Sequence, residues 1–131
     1  MMPREDTTRY AFNRTRHAYL ATRVSVAGTH WSRFRGLMCR KDWRTGDGLW
    51  IVPCRGVHTL AMRFPIDVLY LDANRLVVHI NYGLKPWRLG RISLQAASVL
   101  ELPGETLRPS GTALGDEIEI ALGQPGEANR G

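Results

Sequence analysis

Residues 19–26 alternate strictly. Leu20, Thr22, Val24 and Val26 occupy one side, with Tyr19, Ala21, Arg23 and Ser25 on the other. A two-residue period is the mark of a half-buried strand, so an extended stretch is expected from Tyr10 to Ala27, ended by Gly28. The period then changes. Trp31, Phe34, Leu37 and Met38 fall at helical spacing behind Thr29, a suitable N-cap, and predict a short helix over residues 30–38. Gly36 inside it weakens the helix by about 1 kcal/mol. Residues 41–48 read as a loop, Leu49 to Val52 as a short strand closed by Pro53, and Gly56 to Met62 as a further extended stretch before Pro65.

The sharpest local pattern is a hairpin. Ile66 to Leu71 and Leu76 to Tyr82 are apolar, β-branched-rich runs joined by Asp72-Ala73-Asn74-Arg75, residues suited to a turn. Ile66, Val68 and Tyr70 share one face and Asp67, Leu69 and Leu71 the other, and apolar residues on both faces imply a strand inside the protein. Gly83 to Gly90 reads as a loop and Leu94 to Ser98 as one helical turn. Val99 to Leu102 is strand-like and is stopped by Pro103-Gly104. In the last strand, Ile118, Ile120 and Leu122 face inward, with Glu117, Glu119 and Ala121 outward. The expected fold is mainly β: a small antiparallel β sandwich or barrel-like domain with one or two short helices. One domain over residues 10–122 is expected between a flexible N-terminus (1–9) and a polar tail (123–131). No internal repeat is seen.

Length agrees with this reading, because 131 residues make one domain that can bury about two-thirds of its unfolded surface. No apolar run approaches the roughly 20 residues of a membrane span. The start, MMPREDTTRY, has no apolar leader, which points to a cytoplasmic protein. Two cysteines, Cys39 and Cys54, suit reduced thiols better than a disulfide framework. Charge is uneven: residues 1–63 hold 12 Arg/Lys against 4 Asp/Glu, and residues 64–131 hold 6 against 8. A basic half can meet nucleic acid, phosphate or a membrane surface. However, 16 of the 18 basic residues are arginine, a count that coding bias alone would produce. A nucleic-acid partner is possible and not favoured.

Candidate chemistry centres on residues 54–71. On an extended chain Cys54, Gly56, His58, Leu60 and Met62 share a face, and this donor set would suit a soft metal such as Cu(I). Cys54 and His58 would stand about 13 Å apart along a straight strand, and no zinc-ligand spacing links Cys39, His17, His30 or His79. No metal or cofactor is expected. A catalytic reading makes Cys54 a nucleophile, His58 its base and Asp67 the orienting group, but no nucleophile elbow or oxyanion-hole motif accompanies them. Asp67, in an apolar strand, needs a partner: Arg35, Arg63 or backbone amides in a structural role, or His58 or a ligand in a functional one. The structural role is preferred, and the same question applies to Glu101 between Leu100 and Leu102. Trp87, with Lys85 and Arg88, could stack on a sugar or base, or simply cover the barrel end. The preferred function is a binding module for a small polar or anionic ligand or a partner protein, through His58, Asp67, Arg35 and Trp87. The alternatives are a Cys54/His58 enzyme and a basic nucleic-acid accessory protein. Ligand, pathway and oligomeric state are open.

Several landmarks stand in a recognisable order. They are Arg35-Gly36-Leu37-Met38, Gly48-Leu49, His58-Thr59 with Met62, and Pro65-Ile66-Asp67-Val68. Leu71-Asp72, Pro86, Val99-Leu100-Glu101-Leu102 and Gly115-Asp116 follow. From about Leu20 to Leu122 the chain resembles the bacterial and archaeal family known as domain of unknown function 192. The resemblance implies a compact, mostly antiparallel β domain and says little about activity. It also implies that many relatives carry an export signal, for which this N-terminus shows no apolar stretch.

Overall fold

The computed structural model describes residues 9–27, 43–53, 64–85 and 92–123. The strands are β1 (Arg9–Asn13), β2 (Ala18–Ala27), β3 (Asp47–Ile51), β4 (Ile66–Leu71), β5 (Val77–Leu84), β6 (Ser98–Pro103) and β7 (Ile118–Leu122). A single-turn helix, α1 (Leu107–Ser110), lies between β6 and β7. The seven strands of the described residues belong to one sheet in the order β5-β4-β6-β3-β2-β1-β7. Every pairing is antiparallel except β2 with β3, which is parallel.

The sheet curls until its ends meet. Val77 N donates to Asp116 O at 2.9 Å, Gly115 N to Val77 O at 2.8 Å, and Ile118 N to Arg75 O at 2.9 Å. The result is a half-barrel, so the barrel-like form of the expected fold is the one adopted, rather than two stacked sheets. Its concave side encloses Ala11, Leu20, Val24, Trp50, Leu69, Leu100, Leu107 and Ile118, drawn from both ends of the sheet and from α1. Gly48 belongs to this side. A Cβ there would meet Ala21 Cβ at 3.2 Å and Leu102 Cδ2 at 3.3 Å, so any side chain at this position would press its neighbours back by a few tenths of an ångström, and glycine suits the close approach of β3. The convex side has its own apolar layer of Leu49, Ile51, Ile66, Val68, Tyr70 and Val99, against which Trp43 and Phe64 pack.

β4 is sandwiched between β5 and β6 and is buried at all six positions. This agrees with its two-faced apolar pattern, and its residues divide between the convex and concave layers as the alternation requires. The turn after it is held by Asp72, whose Oδ1 accepts Asn74 N at 2.8 Å and Leu76 N at 3.0 Å.

Four expectations need correction. The stretch from Tyr10 to Ala27 is two strands, because residues 14–17 turn and β1 pairs back on β2. Inside β2 the alternation slips: Thr22 N and Arg23 N both donate to Gly46 O, at 2.9 and 2.8 Å. This bulge lets the adjacent Leu20 and Ala21 both enter the core; farther along the strand Val26 is exposed. Leu94 to Ser98 is not a helical turn. Ala96 N donates to Ser93 O at 3.2 Å in a tight turn, and Ser98 already belongs to β6. Leu122, expected inward, is 58% exposed, because β7 ends at the sheet margin. The helix expected over residues 30–38 and the extended stretch at 56–62 lie outside the described residues.

Candidate functional site

Among the residues singled out for binding or catalysis, Asp67 is described; Cys54, His58, Arg35 and Trp87 lie outside the described residues. Asp67 is 1% exposed and points to the concave side. Its Oδ1 accepts Gly83 N at 2.8 Å, while Oδ2 accepts Thr106 N at 3.0 Å and Leu107 N at 2.9 Å. The carboxylate thereby caps the first turn of α1 and fixes the far end of β5, where Gly83 adopts a left-handed φ of 58°. Its partners are thus backbone amides, the structural alternative to Arg35 or Arg63.

The opposite, convex side holds a carboxyl group in different circumstances. Glu101 on β6 lies in register with Leu49 on β3 and Val68 on β4. It is 1% exposed, and its Oε2 has no hydrogen-bond partner among the described residues. Burial in this apolar layer pushes the carboxyl up from an ordinary 4.5 to about 8. At neutral pH Glu101 is therefore mostly the neutral acid, offering one O–H donor and acceptor capacity.

An ordered polar chain lies beside it on the same side. Asn81 on β5 is opposite Val68, placing it two strands from Glu101, about 10 Å away at ordinary strand spacing. Asn81 Nδ2 donates to Tyr70 Oη at 3.1 Å, and its Oδ1 lies 3.1 Å from His79 Nε2. With Nδ2 donating to Tyr70, Oδ1 is the amide atom that faces the His79 ring. The rings of His79 and Tyr70 meet edge to face at 5.1 Å. In the sequence Glu101 stands out without a place in the site, His79 figures only as a metal donor lacking zinc-ligand spacing, Tyr70 only as an apolar face position, and Asn81 carries no signal of its own. The only signal was the alternation of His79 and Asn81 across from Tyr70 and Val68, which becomes meaningful once the hairpin register is known.

A third polar cluster closes the half-barrel. Asp116 accepts Asn13 Nδ2 at 3.0 Å, Arg16 Nε at 2.9 Å and Ala113 N at 3.0 Å. Burial alone would raise this carboxyl, but these donors and the Arg16 charge outweigh it and hold it below the usual range. Asn13 Nδ2 also donates to Thr112 Oγ1 at 3.0 Å. With both carboxylate oxygens engaged, the cluster is structural, and it accounts for the Gly115-Asp116 landmark. Among the described residues no three His, Cys, Asp or Glu side chains gather as a metal site would require. No helix among them is long and apolar enough to cross a membrane.

Comparison with known proteins agrees with this architecture. Residues 11–120 match the model of domain of unknown function 192, described as "Uncharacterized ACR". The chain is 30% identical over 112 residues to a UPF0127 protein of Thermococcus sibiricus, covering 82% of this chain and 71% of that one. It is 31% identical over 112 residues to a UPF0127 protein of Pyrococcus furiosus, covering 82% and 94%. Two crystal structures share the fold at 20% identity. One is a protein of unknown function from Novosphingobium aromaticivorans, with a TM-score of 0.72 over 85% of this chain and 82% of that one. The other, from Sinorhizobium meliloti, is described as a proposed transcription regulator, with a TM-score of 0.71 over 90% and 98%. The landmarks, the half-barrel and the family match agree, and the chain belongs to the domain of unknown function 192 family.

Proposed function

We propose that the chain is a binding module that takes a small polar ligand on the convex face of its sheet, with Glu101 as the central polar contact. The observation that carries this reading is the buried Glu101 Oε2 without a hydrogen-bond partner among the described residues. Leaving such an atom unpaired costs about 1–3 kcal/mol, and the cost falls on a face where Tyr70, Asn81 and His79 are already mutually ordered. A neutral carboxyl in an apolar layer pairs well with a group that presents a donor and an acceptor side by side. An amide, a carboxylic acid or a nucleobase edge fits that description, and a peptide from a partner protein can present the first. Entry requires the apolar cover of this face, to which Trp43 and Phe64 contribute, to open.

His58, Arg35 and Trp87 join this reading from the sequence alone: Arg35 as a counter-charge for an anionic ligand, Trp87 as a stacking surface, His58 as a polar contact. Asp67 joins it indirectly, since its bonds hold Gly83 and α1 and so fix the end of β5. Regulation of transcription, the description borne by the Sinorhizobium meliloti protein, finds little support in the charges of this chain. Arg14, Arg16 and Arg23 are each ion-paired, with Glu119, Asp116 and Asp47, which leaves them poorly placed to hold phosphates.

A thermal-shift screen of small amides, carboxylic acids and nucleobases at pH 7 tests the proposal. Compounds that stabilise the wild type are expected to lose most of their effect on Glu101→Leu, which removes both the donor and the acceptor, and on His58→Ala. If both variants keep every hit at full strength, the site is elsewhere.

A further inference from the structure

On the concave side of the sheet, across from Glu101, Trp50 and Arg75 hold two donors without acceptors. The Trp50 ring belongs to the concave layer, and its Nε1–H is buried with no hydrogen-bond partner among the described residues. The Arg75 guanidinium lies over that ring, with Cζ 4.3 Å from the centroid. Burial lowers this guanidinium from the ordinary arginine value, and no carboxylate pairs with it among the described residues. The acids of the adjoining turns are engaged elsewhere: Asp72 accepts Asn74 N and Leu76 N, and Asp116 accepts Arg16 Nε and Asn13 Nδ2. The backbone holds Arg75 firmly. Its N donates to Asp72 O, its O accepts Ile118 N, and its φ of 64° lies in the left-handed region, where a turn ordinarily places Gly or Asn.

These donors stand at the mouth of the half-barrel. Trp50 is in register with Val26 on β2 and with Leu100 on β6, so the three side chains share the concave side. Leu100 is fully buried, whereas Val26 is 40% exposed, so the layer opens to solvent beside the indole. Val52 packs against the same layer. Nε1 lies on the rim of the ring that Arg75 covers, and one carboxylate, with its two oxygens, can accept from both groups at about 2.9 Å each. We propose that this mouth is a site for a small monocarboxylate with an apolar body, its oxygens received by the Arg75 guanidinium and Trp50 Nε1–H and its body laid on Val26 and Val52. One guanidinium balances one negative charge, whereas a phosphate dianion would bring a second. The inference is independent of the ligand site at Glu101, which faces the convex side.

Nitrogen-15 spectra of the full chain at pH 7 test it. The chain has four tryptophans and so four indole N–H resonances, and Trp50→Phe identifies the one concerned. Titration with isovalerate is expected to move the Trp50 resonance downfield and to saturate; the Arg75 Nε–H resonance, lost in Arg75→Lys, gives a second readout should Trp50→Phe disturb folding. Neutral isovaleramide is expected to bind at least about tenfold more weakly, and so is isovalerate on Arg75→Gln, since each change removes a charged hydrogen-bond pair. Glu101→Leu is expected to leave the shift in place. A merely structural Arg75 would leave the indole resonance indifferent to the acid. Should Arg75→Gln shift the urea midpoint, Arg75→Lys keeps the charge without the planar fork and is expected to bind several-fold more weakly. The proposal is overturned if neither resonance moves, if isovaleramide acts equally, or if the Arg75 variants bind as tightly as the wild type. It is equally overturned if sulfate matches isovalerate, which would leave an adventitious ion only.

Discussion

Asp67 and Glu101 lie on neighbouring strands one register step apart, Asp67 opposite Leu102 and Glu101 opposite Val68, and therefore point to opposite sides of the sheet. Both are 1% exposed. One carboxylate receives three backbone amides, while the other has an oxygen with no partner among the described residues. The contrast separates a framework role from a candidate binding role, and it makes the two residues respond differently to substitution.

Removing the Asp67 side chain leaves three buried or part-buried N–H groups without their acceptor. At about 1–3 kcal/mol for each orphaned group, with some recovered by water, Asp67→Ala is expected to lose about 3–5 kcal/mol. Asp67→Asn keeps one acceptor oxygen but turns an NH₂ toward a donor, and should lose roughly half as much. Urea unfolding at pH 7 measures both. A loss below about 1 kcal/mol for the alanine variant would contradict the capping role.

Glu101 gives stability a pH dependence of opposite sign to that of a salt-bridged carboxylate. Its folded value, about 8, lies above the ordinary 4.5. Between these values the unfolded chain has released the proton and the folded chain has kept it, so stability falls as pH rises through the window and levels off above it. At about 1.36 kcal/mol per unit the fall amounts to a few kcal/mol. Glu101→Gln should match the wild type near pH 4, lack the fall, and be the more stable protein at pH 9. Urea midpoints at intervals between pH 4 and pH 9 provide the comparison.

Asp116 works in the acid range. Its folded value lies below the ordinary 3.8, so its contribution is fully present above that value and is lost as pH falls through it. Asn13→Ala removes one of the donors that hold it down and leaves the buried Asp116 and Thr112 oxygens short of a partner. The variant is expected to be about 1–2 kcal/mol less stable at neutral pH and to unfold at a higher pH during acid titration. Far-ultraviolet circular dichroism follows both.

Gly48→Val tests the closeness of β3 to β2 and β6. Where even a Cβ would lie 3.2 Å from Ala21 Cβ, two further methyl groups must displace backbone or core. A loss of about 1–3 kcal/mol in urea unfolding is expected.

These particulars show what was legible in the sequence. The β4–β5 hairpin was readable because its period, its β-branched residues and the Asp72 turn chemistry all agree. The two-sided burial of β4 followed from apolar residues on both faces. The bulge in β2 was not readable, since it depends on a single carbonyl, that of Gly46, receiving two amides from a segment more than twenty positions earlier. Nor was α1, a single turn containing Pro109 whose start is capped by Asp67 from forty positions away. Glu101 could be flagged by its leucine neighbours, but its isolation could not, because that depends on Leu49 and Val68 flanking it across three strands. His79 and Asn81 were hidden for the same reason: register, not sequence, brings them to Tyr70.

The central claim is that Glu101 is a buried neutral acid on the convex face, with a carboxyl oxygen that has no partner among the described residues. The most direct measurement is a carbon-13 titration of the glutamate side-chain carboxyls, with Glu101→Gln identifying the resonance. A midpoint near 8 is the expected result. A midpoint in the ordinary glutamate range, near 4.5, would contradict the account, because Glu101 would then be solvated or already paired.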